Sequence, residues 1–167
     1  KVKLFVIGGG EKEIIDLIKA GEGNIFMDPV AHDEIPKYIS LADACVSPLP
    51  DILWWRVASS LKVMEYMACG KPIALTKMKA HTDVVPENNE GVSYFENVSP
   101  QEIADSLKKI ISDKEMWHSK RDIIVNHART KFSYKRLASE LLSYYKILSK
   151  QPYRKENHRE RNVFKNK

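Results

Sequence analysis

Short apolar runs alternate with helical patterns from the start of the chain to about Leu148, and this alternation constrains the fold more than any other feature. The runs are rich in β-branched or aromatic residues and are bounded by Gly, Pro, Asn or Asp. They predict strands at residues 2–7, 24–27, 44–47, 73–76 and 92–95. Helices are predicted at residues 11–20, 35–41 and 61–69, from Ser99 onward, and at about 114–130 and 134–148. Strands separated by helices favour an α/β domain with a Rossmann-like, mainly parallel sheet and helices on both faces.

Charge is unevenly distributed along the 167 residues, which include 27 Lys or Arg and 22 Asp or Glu. The tail at residues 150–167 holds seven Lys or Arg and two Glu, so the net charge of +5 lies there and residues 1–149 are neutral. Because the tail has few aliphatic residues, we predict that it is disordered. The alternative is a basic arm for anionic lipid or nucleic acid. Glu156 and Glu160 interrupt the basic run and aromatic residues are sparse, so no nucleic-acid partner is expected.

Hydropathy and cysteine usage favour a soluble, intracellular domain. No apolar run approaches the roughly 18 residues of a membrane helix, and no signal-peptide pattern is present. Cys45 and Cys69 lie in apolar stretches without C-x-x-C spacing, which favours buried packing over a disulfide, a metal site or a nucleophile. The chain opens inside an apparent strand, so we expect it to be a piece of a longer protein.

The first candidate site is the turn at Gly8, Gly9 and Gly10, where a strand ends and a helix begins at once. Glycines allow close approach, so backbone N–H groups and the helix N-terminus can face an anion. Asp28 follows Gly10 by 18 positions, near the spacing of a dinucleotide fold's ribose-binding acid. Glu13 stands where that fingerprint requires Gly or Ala, which argues against NAD. A plain tight turn is the alternative to a phosphate contact.

The second candidate site lies at the start of the helix at 61–69. Ser59 and Ser60 suit its N-cap, and Gly70 and Pro72 follow its end. The N–H groups of Ser60 and Leu61, the two serine hydroxyls and the Lys62 ammonium can together hold a diphosphate. Glu65, three positions after Lys62 on the same face, can accept two ribose hydroxyl protons. The alternative is an exposed Lys–Glu pair of little energetic value.

Four segments, in this order and spacing, resemble the nucleotide-sugar half of a family 4 glycosyltransferase with the GT-B fold. They are VIGGG (6–10), NIFMDPV (24–30), ISLADACVSP (39–48) and SSLKVMEYMACGKP (59–72). The resemblance runs from about residue 3 to residue 148. It implies a retaining glycosyltransferase (glycosyl transferases group 1) that moves a hexosyl group from a nucleoside diphosphate sugar to a glycan or lipid-linked acceptor. It also implies that this chain is the C-terminal domain, which binds the donor. No cofactor and no metal are expected to be required, because the fold can hold the diphosphate with backbone dipoles and Lys or Arg.

The resemblance also assigns roles to single residues. Glu65 matches the second acid of the family's acid pair, which binds the donor ribose, and Gly9 and Gly10 match the loop near the diphosphate. Residues 28–30 would face the nucleobase, with Val30 in contact through its backbone. Ser59, Ser60, Leu61 and Lys62 complete the predicted donor site.

Val57 departs from the family pattern, because many members carry the first acid of the pair at this position, eight residues before Glu65. A subgroup with a Ser-rich approach followed by Leu-Lys also lacks that acid, and Lys62 falls where its Lys stands. We therefore interpret the chain as a variant. A nucleotide-binding module without transferase activity is one alternative, and an NAD-dependent oxidoreductase is the other.

The resemblance implies partners outside this chain. Family members hold the diphosphate with an Arg and a Lys from a strand–helix unit that precedes residue 1 here, and the acceptor binds an N-terminal domain. The isolated domain, residues 1–149, is therefore expected to be inactive. A cytoplasmic location, with peripheral association at the cytoplasmic face of the membrane, is expected for the parent protein because many relatives work on lipid-linked glycans.

Two further groups of residues each have two possible roles, in ligand binding or in the structure of the domain. Trp54, Trp55 and Arg56 fall in a loop, where they either meet the sugar or the partner domain or pack on the domain surface. His81 and Asp83 follow a strand and lie at the edge of the sheet where ligands bind, although a hydrogen-bonded loop histidine is the safer interpretation.

Overall fold

A computed structural model describes residues 2–86, 88 and 90–150 of the chain. The described residues form two compact units, the first extending to Lys131 and the second beginning at Phe132. The tail predicted to be disordered lies outside the described residues, apart from Lys150.

The first unit contains five short parallel strands in two sheets. Strands β1 and β2 pair with each other, and β4 lies between β3 and β5. Their bounds are Phe5–Ile7 for β1, Ile25–Met27 for β2, Cys45–Ser47 for β3, Ile73–Thr76 for β4 and Val92–Phe95 for β5. The predicted α/β class and the parallel pairing are confirmed. The first strand is shorter than predicted, because the N–H of Leu4 donates to the Asn24 side chain at 3.0 Å instead of extending the ladder.

Ten helical segments accompany the described strands. They are α1 Lys12–Ala20, a 3-10 turn at His32–Glu34, α2 Ile35–Leu41, α3 Leu53–Arg56, α4 Leu61–Ala68, α5 Lys79–Thr82, α6 Pro100–Ser112, α7 Lys114–Ser119, α8 Arg121–Phe132 and α9 Tyr134–Ser149. The prediction of a single helix at 114–130 is wrong. It divides into α7 and α8 at Lys120, whose N–H bonds the carbonyl of Trp117, the buried residue of α7. Helices α3 and α5 occupy segments predicted as loops.

The core of the first unit is built around β4, whose four residues are all buried. Ala74 packs with Phe95, Ile110 and Trp117 on one face. Side chains alternate along a strand, so Ile73 and Leu75 point to the other face. Helix α4 packs on β3 and β4 and contributes the fully buried Val63 and Met67.

Within the described residues the outer edges of both sheets are open, and those of β1 and β3 are two of them. β1 pairs only with β2, and β3 pairs only with β4. Helix α1 carries a strong apolar face but buries no residue, and its Ile14 and Leu17 are exposed. Helix α2 contributes Tyr38, whose ring lies edge-on to Phe5 of β1 at 5.9 Å.

The second unit is described by α9, which Ser133 caps by accepting a hydrogen bond from Arg136 N–H. An apolar stripe at three- and four-residue spacing runs along it. The stripe consists of Leu137, Leu141, Tyr145 and Leu148, all of which are exposed.

Gly91→Ala is expected to lower the free energy of unfolding by about 2–4 kcal/mol. Gly91 has a φ of +74°, and an added Cβ would lie 2.6 Å from Cγ2 of the buried Ile124. Urea denaturation measures the change. Gly9→Ala is the control, because nothing lies within 4 Å of a Cβ at Gly9. Equal effects of the two substitutions would contradict this account of the fold.

Candidate functional site

The glycine turn follows β1 directly and is open to solvent. Gly8 adopts a φ of +147° and its N–H donates to the carbonyl of Met27 at the end of β2, at 3.1 Å. Gly9 and Gly10 are exposed, and no protein atom fills the space where a Gly9 side chain would be. An open glycine turn thus stands directly before α1, which begins at Lys12, and an anion contact at this turn stays a prediction.

The segment after β2 connects the glycine turn to α4. Asp28 is exposed, and the half-buried Val30 forms no hydrogen bond through its backbone within the described residues. Two positions later, His32 Nε2 lies 3.1 Å from Glu65 Oε1. Because an ionised carboxylate only accepts hydrogen bonds, Nε2 carries the hydrogen and donates. The structure therefore places a residue two positions after the predicted nucleobase segment in contact with the predicted ribose acid.

The backbone at the start of α4 differs from the prediction at one amide. Ser60 has φ −81° and ψ 67°, the conformation at the centre of an inverse γ-turn. The N–H of Leu61 consequently donates to the Ser59 carbonyl at 3.0 Å, so the prediction that it is free for a ligand is wrong. Within the described residues, the N–H groups of Ser60 and Lys62 form no backbone hydrogen bond.

The side chains at the same helix end are unpaired. Ser60 Oγ is buried, makes no cap bond and has no partner within the described residues. Lys62 is exposed, and none of the described groups bonds its ammonium. The alternative of a Lys62–Glu65 pair is not realised, because Glu65 contacts His32 instead. Within the described residues, the start of α4 thus combines a cation, two amides and a hydroxyl that have no partner, and its role in anion binding stays a prediction.

A buried histidine ties the ends of β3 and β4 together beside this helix. His81 Nδ1 donates to the Thr76 carbonyl at 2.8 Å, so the neutral Nε2 accepts from the Ser47 hydroxyl at 3.2 Å. Burial lowers the pKa of His81, and the nearby Lys62 charge lowers it further, although the Thr76 bond opposes the shift. His81 is hydrogen-bonded as predicted, but in helix α5 and fully buried. Sequence reasoning missed Ser47.

The tryptophan segment projects from the surface on α3. Trp54 is 77% exposed and Trp55 is 40% exposed, so the alternative of a loop packed on the surface is wrong for Trp54. Arg56 bonds Asp51 through Nε at 2.6 Å and Nη2 at 3.0 Å, and these bonds lower the pKa of Asp51. Val57 follows, exposed and without a carboxylate to supply the family's first acid.

The remaining candidates lie elsewhere or have structural partners. Asp83 pairs with Lys79 at 2.8 Å on the surface of α5. Burial raises the pKa of Cys45 to about 12 and also raises that of Cys69, in agreement with packing. A cavity of about 360 Å³, lined in part by Lys71, lies at the opposite edge of the sheet, where β3 and β4 begin. In the part of the chain that the structure describes, no cluster of His, Cys, Asp and Glu is arranged to hold a metal ion.

We expect the free energy of unfolding to fall as pH drops from about 7 to 5.5, because unfolded histidine takes up a proton near pH 6.5 whereas His81 does so only at lower pH. His81→Gln should flatten this slope and lower stability at pH 7.5 by about 1–3 kcal/mol through its altered hydrogen bonds. Thermal denaturation across pH measures both effects. His118→Gln, at an exposed histidine, is the control, and an unchanged slope in His81→Gln would refute the assignment.

Solved structures with a similar fold are glycosyltransferases of the GT-B type. Sucrose-phosphate synthase (tll1590) from Thermosynechococcus elongatus is 18% identical with a TM-score of 0.74, and the match covers 87% of this chain and 38% of that protein. Anabaena Alr3699/HepE in complex with UDP-glucose is 19% identical with a TM-score of 0.70, covering 86% and 40%. WaaG, a glycosyltransferase involved in lipopolysaccharide biosynthesis, is 16% identical with a TM-score of 0.60, covering 78% and 35%.

The likeness to these structures shows the fold, and a family model shows the family of the chain. The chain spans about two fifths of the length of the first two structures. Among curated proteins no match is found. Across the residues that the structure describes, no helix is long and apolar enough to cross a membrane. The family model for glycosyl transferases group 1 matches residues 1–113, and the chain therefore belongs to this family.

Proposed function

We propose that the chain is the C-terminal, donor-binding domain of a retaining family 4 glycosyltransferase. The parent protein would transfer a hexosyl group from a nucleoside diphosphate sugar to a glycan or lipid-linked acceptor, as in polysaccharide biosynthesis. The observation that carries the proposal is the N-terminus of α4, where Lys62 and Ser60 are unpaired one turn before Glu65.

The proposed mechanism is electrostatic stabilisation of the leaving group. As the glycosidic bond breaks, negative charge grows on the diphosphate. Lys62 and the open amides of α4 offset that charge without reorganisation, because they are already in place, whereas the buried Ser60 hydroxyl must first become accessible to the diphosphate. Glu65 binds the ribose and sets the position of the donor. Gly9 and Gly10 approach the diphosphate, and Val30 contacts the nucleobase through its unpaired backbone groups. No metal or other cofactor is proposed.

The open edges of the two sheets support a missing strand–helix unit in this domain. A parallel strand paired with both β1 and β3 would join five strands into one sheet, and a helix beside it would cover apolar residues such as Leu17 of α1. This unit is where the resemblance expects a diphosphate-binding Arg and Lys. An N-terminal domain completes the cleft and supplies the acceptor site. The isolated domain is therefore proposed to be inactive.

The donor is proposed to be a uridine diphosphate sugar, because Anabaena HepE has been solved in complex with UDP and with UDP-glucose. Val57 favours a second candidate, a nucleotide-binding module without transfer, since it provides no carboxylate near the donor sugar. Peripheral association of the parent with the cytoplasmic face of the membrane stays a proposal.

A thermal-shift panel with UDP, GDP, ADP, NAD and nucleotide sugars tests the proposal. We expect one nucleoside diphosphate to raise the melting temperature, because a ligand at a hundredfold excess over its Kd stabilises the folded state by about 2.7 kcal/mol. Lys62→Ala and Glu65→Ala should each reduce the shift, because each removes one contact to the nucleotide. Lys108→Ala, which removes an exposed lysine of α6, should leave it intact. A shift with NAD alone, or none with any nucleotide, would contradict the proposal.

Ser60→Ala separates stability from binding. Its hydroxyl is buried and unbonded, so removing it should raise the free energy of unfolding of the ligand-free chain by about 1–2 kcal/mol. The same change should weaken nucleoside diphosphate binding several-fold, because the diphosphate loses a donor. Urea denaturation and isothermal titration calorimetry measure the two effects. A loss of stability without a loss of affinity would show that Ser60 has only a structural role.

A further inference from the structure

His32 is the residue in direct contact with the proposed ribose acid. Its Nε2 donates to Oε1 of Glu65 at 3.1 Å, across 33 positions of sequence. The histidine side chain is 80% exposed and that of Glu65 is 37% exposed, so the pair lies at an open surface. An isolated pair of this exposure contributes little to folding stability, which leaves its geometry as the property of interest.

The contact leaves the carboxylate able to bind a diol. A carboxylate has about four acceptor positions, and His32 occupies one on Oε1. The second oxygen and the remaining position on Oε1 are available for two hydroxyl groups. A glutamate side chain loses conformational entropy when it is ordered. Holding Glu65 in place before the ligand arrives removes part of that cost from binding.

Backbone hydrogen bonds around His32 fix the position of this residue. It begins the 3-10 turn that follows Val30, and its carbonyl accepts from the N–H of Ile35. The carbonyl of Ala31 accepts from the N–H of Glu34 at 2.9 Å. Helix α2 continues from this turn and anchors it through the buried Ile39. The position of Glu65 is therefore tied to the segment proposed to contact the nucleobase.

We propose that His32 is a positioning residue for the donor ribose. It holds Glu65 in the orientation that accepts the 2′- and 3′-hydroxyl groups, and it links the ribose site to the nucleobase segment. The site consequently selects ribonucleoside diphosphates over analogues that lack the diol. This inference rests on the proposed function.

Isothermal titration calorimetry with UDP, GDP and ADP, each beside its 2′,3′-dideoxy analogue, tests the inference. His32→Ala should weaken binding of the preferred ribonucleotide about threefold to tenfold, the effect of one hydrogen bond, and leave the dideoxy affinity unchanged. His32→Gln, which retains an N–H donor, should restore part of the loss. In a Glu65→Ala background, His32→Ala should have no further effect. Asp33→Ala, at the next exposed position, is the control.

Three outcomes would overturn the inference. Equal weakening of ribonucleotide and dideoxynucleotide by His32→Ala would mean that the histidine acts through the general structure of the site. An unchanged affinity in His32→Ala, with a loss in Glu65→Ala, would refute the role of His32 and leave the proposed function intact. If the wild-type chain binds none of the nucleotides, the proposed function fails and this inference fails with it.

Discussion

Burial of β4 on both of its faces is the interaction on which the rest of the first unit depends. Ile73 and Leu75 are fully buried, and each such side chain contributes about 1.5–3 kcal/mol. Because β4 pairs with β3 and β5 in parallel register, the three strands end at one edge. That edge brings Ser47 to His81, and the buried face of α4 sets where Lys62 and Glu65 emerge. The chemistry of the candidate site is therefore a consequence of packing in the sheet.

The candidate site combines rigid and open parts. His81 fixes the ends of two strands with two hydrogen bonds and is fully buried. Lys62, Gly9 and Gly10 are exposed, and no such hydrogen bonds hold them within the described residues. The fold places the N–H groups and the cation at the start of α4, and it leaves the Ser60 hydroxyl without a partner among the described residues. A domain that binds and releases a charged product needs both properties.

Sequence patterns predicted the elements whose ends have local causes. The bounds of β4, β5 and α2 are as predicted, and Gly70, with a φ of +68°, ends α4 where a glycine was expected to end it. The division at Lys120 was missed because it follows from the burial of Trp117, a tertiary effect.

In the candidate site too, the sequence predicted the residues that have a local signal and missed the contacts that depend on tertiary structure. Glu65, Lys62 and the glycines have recognisable local context. The γ-turn at Ser60 depends on a single ψ angle, and His32 meets Glu65 through the folding of distant segments, so neither leaves a periodic signal. The open edges of β1 and β3 likewise appear only once the strands are paired.

The buried thiol of Cys45 makes this residue a reporter of the opening of the sheet. Only a thiolate is alkylated readily, and a thiol with a pKa of about 12, such as Cys45, is almost entirely protonated at neutral pH. Cys45 begins β3, at the edge opposite the candidate site, so it becomes reactive when β3 separates from β4. The rate of labelling thus records the frequency of that separation. A ligand that tightens the sheet from the far edge would slow the labelling without touching the cysteine.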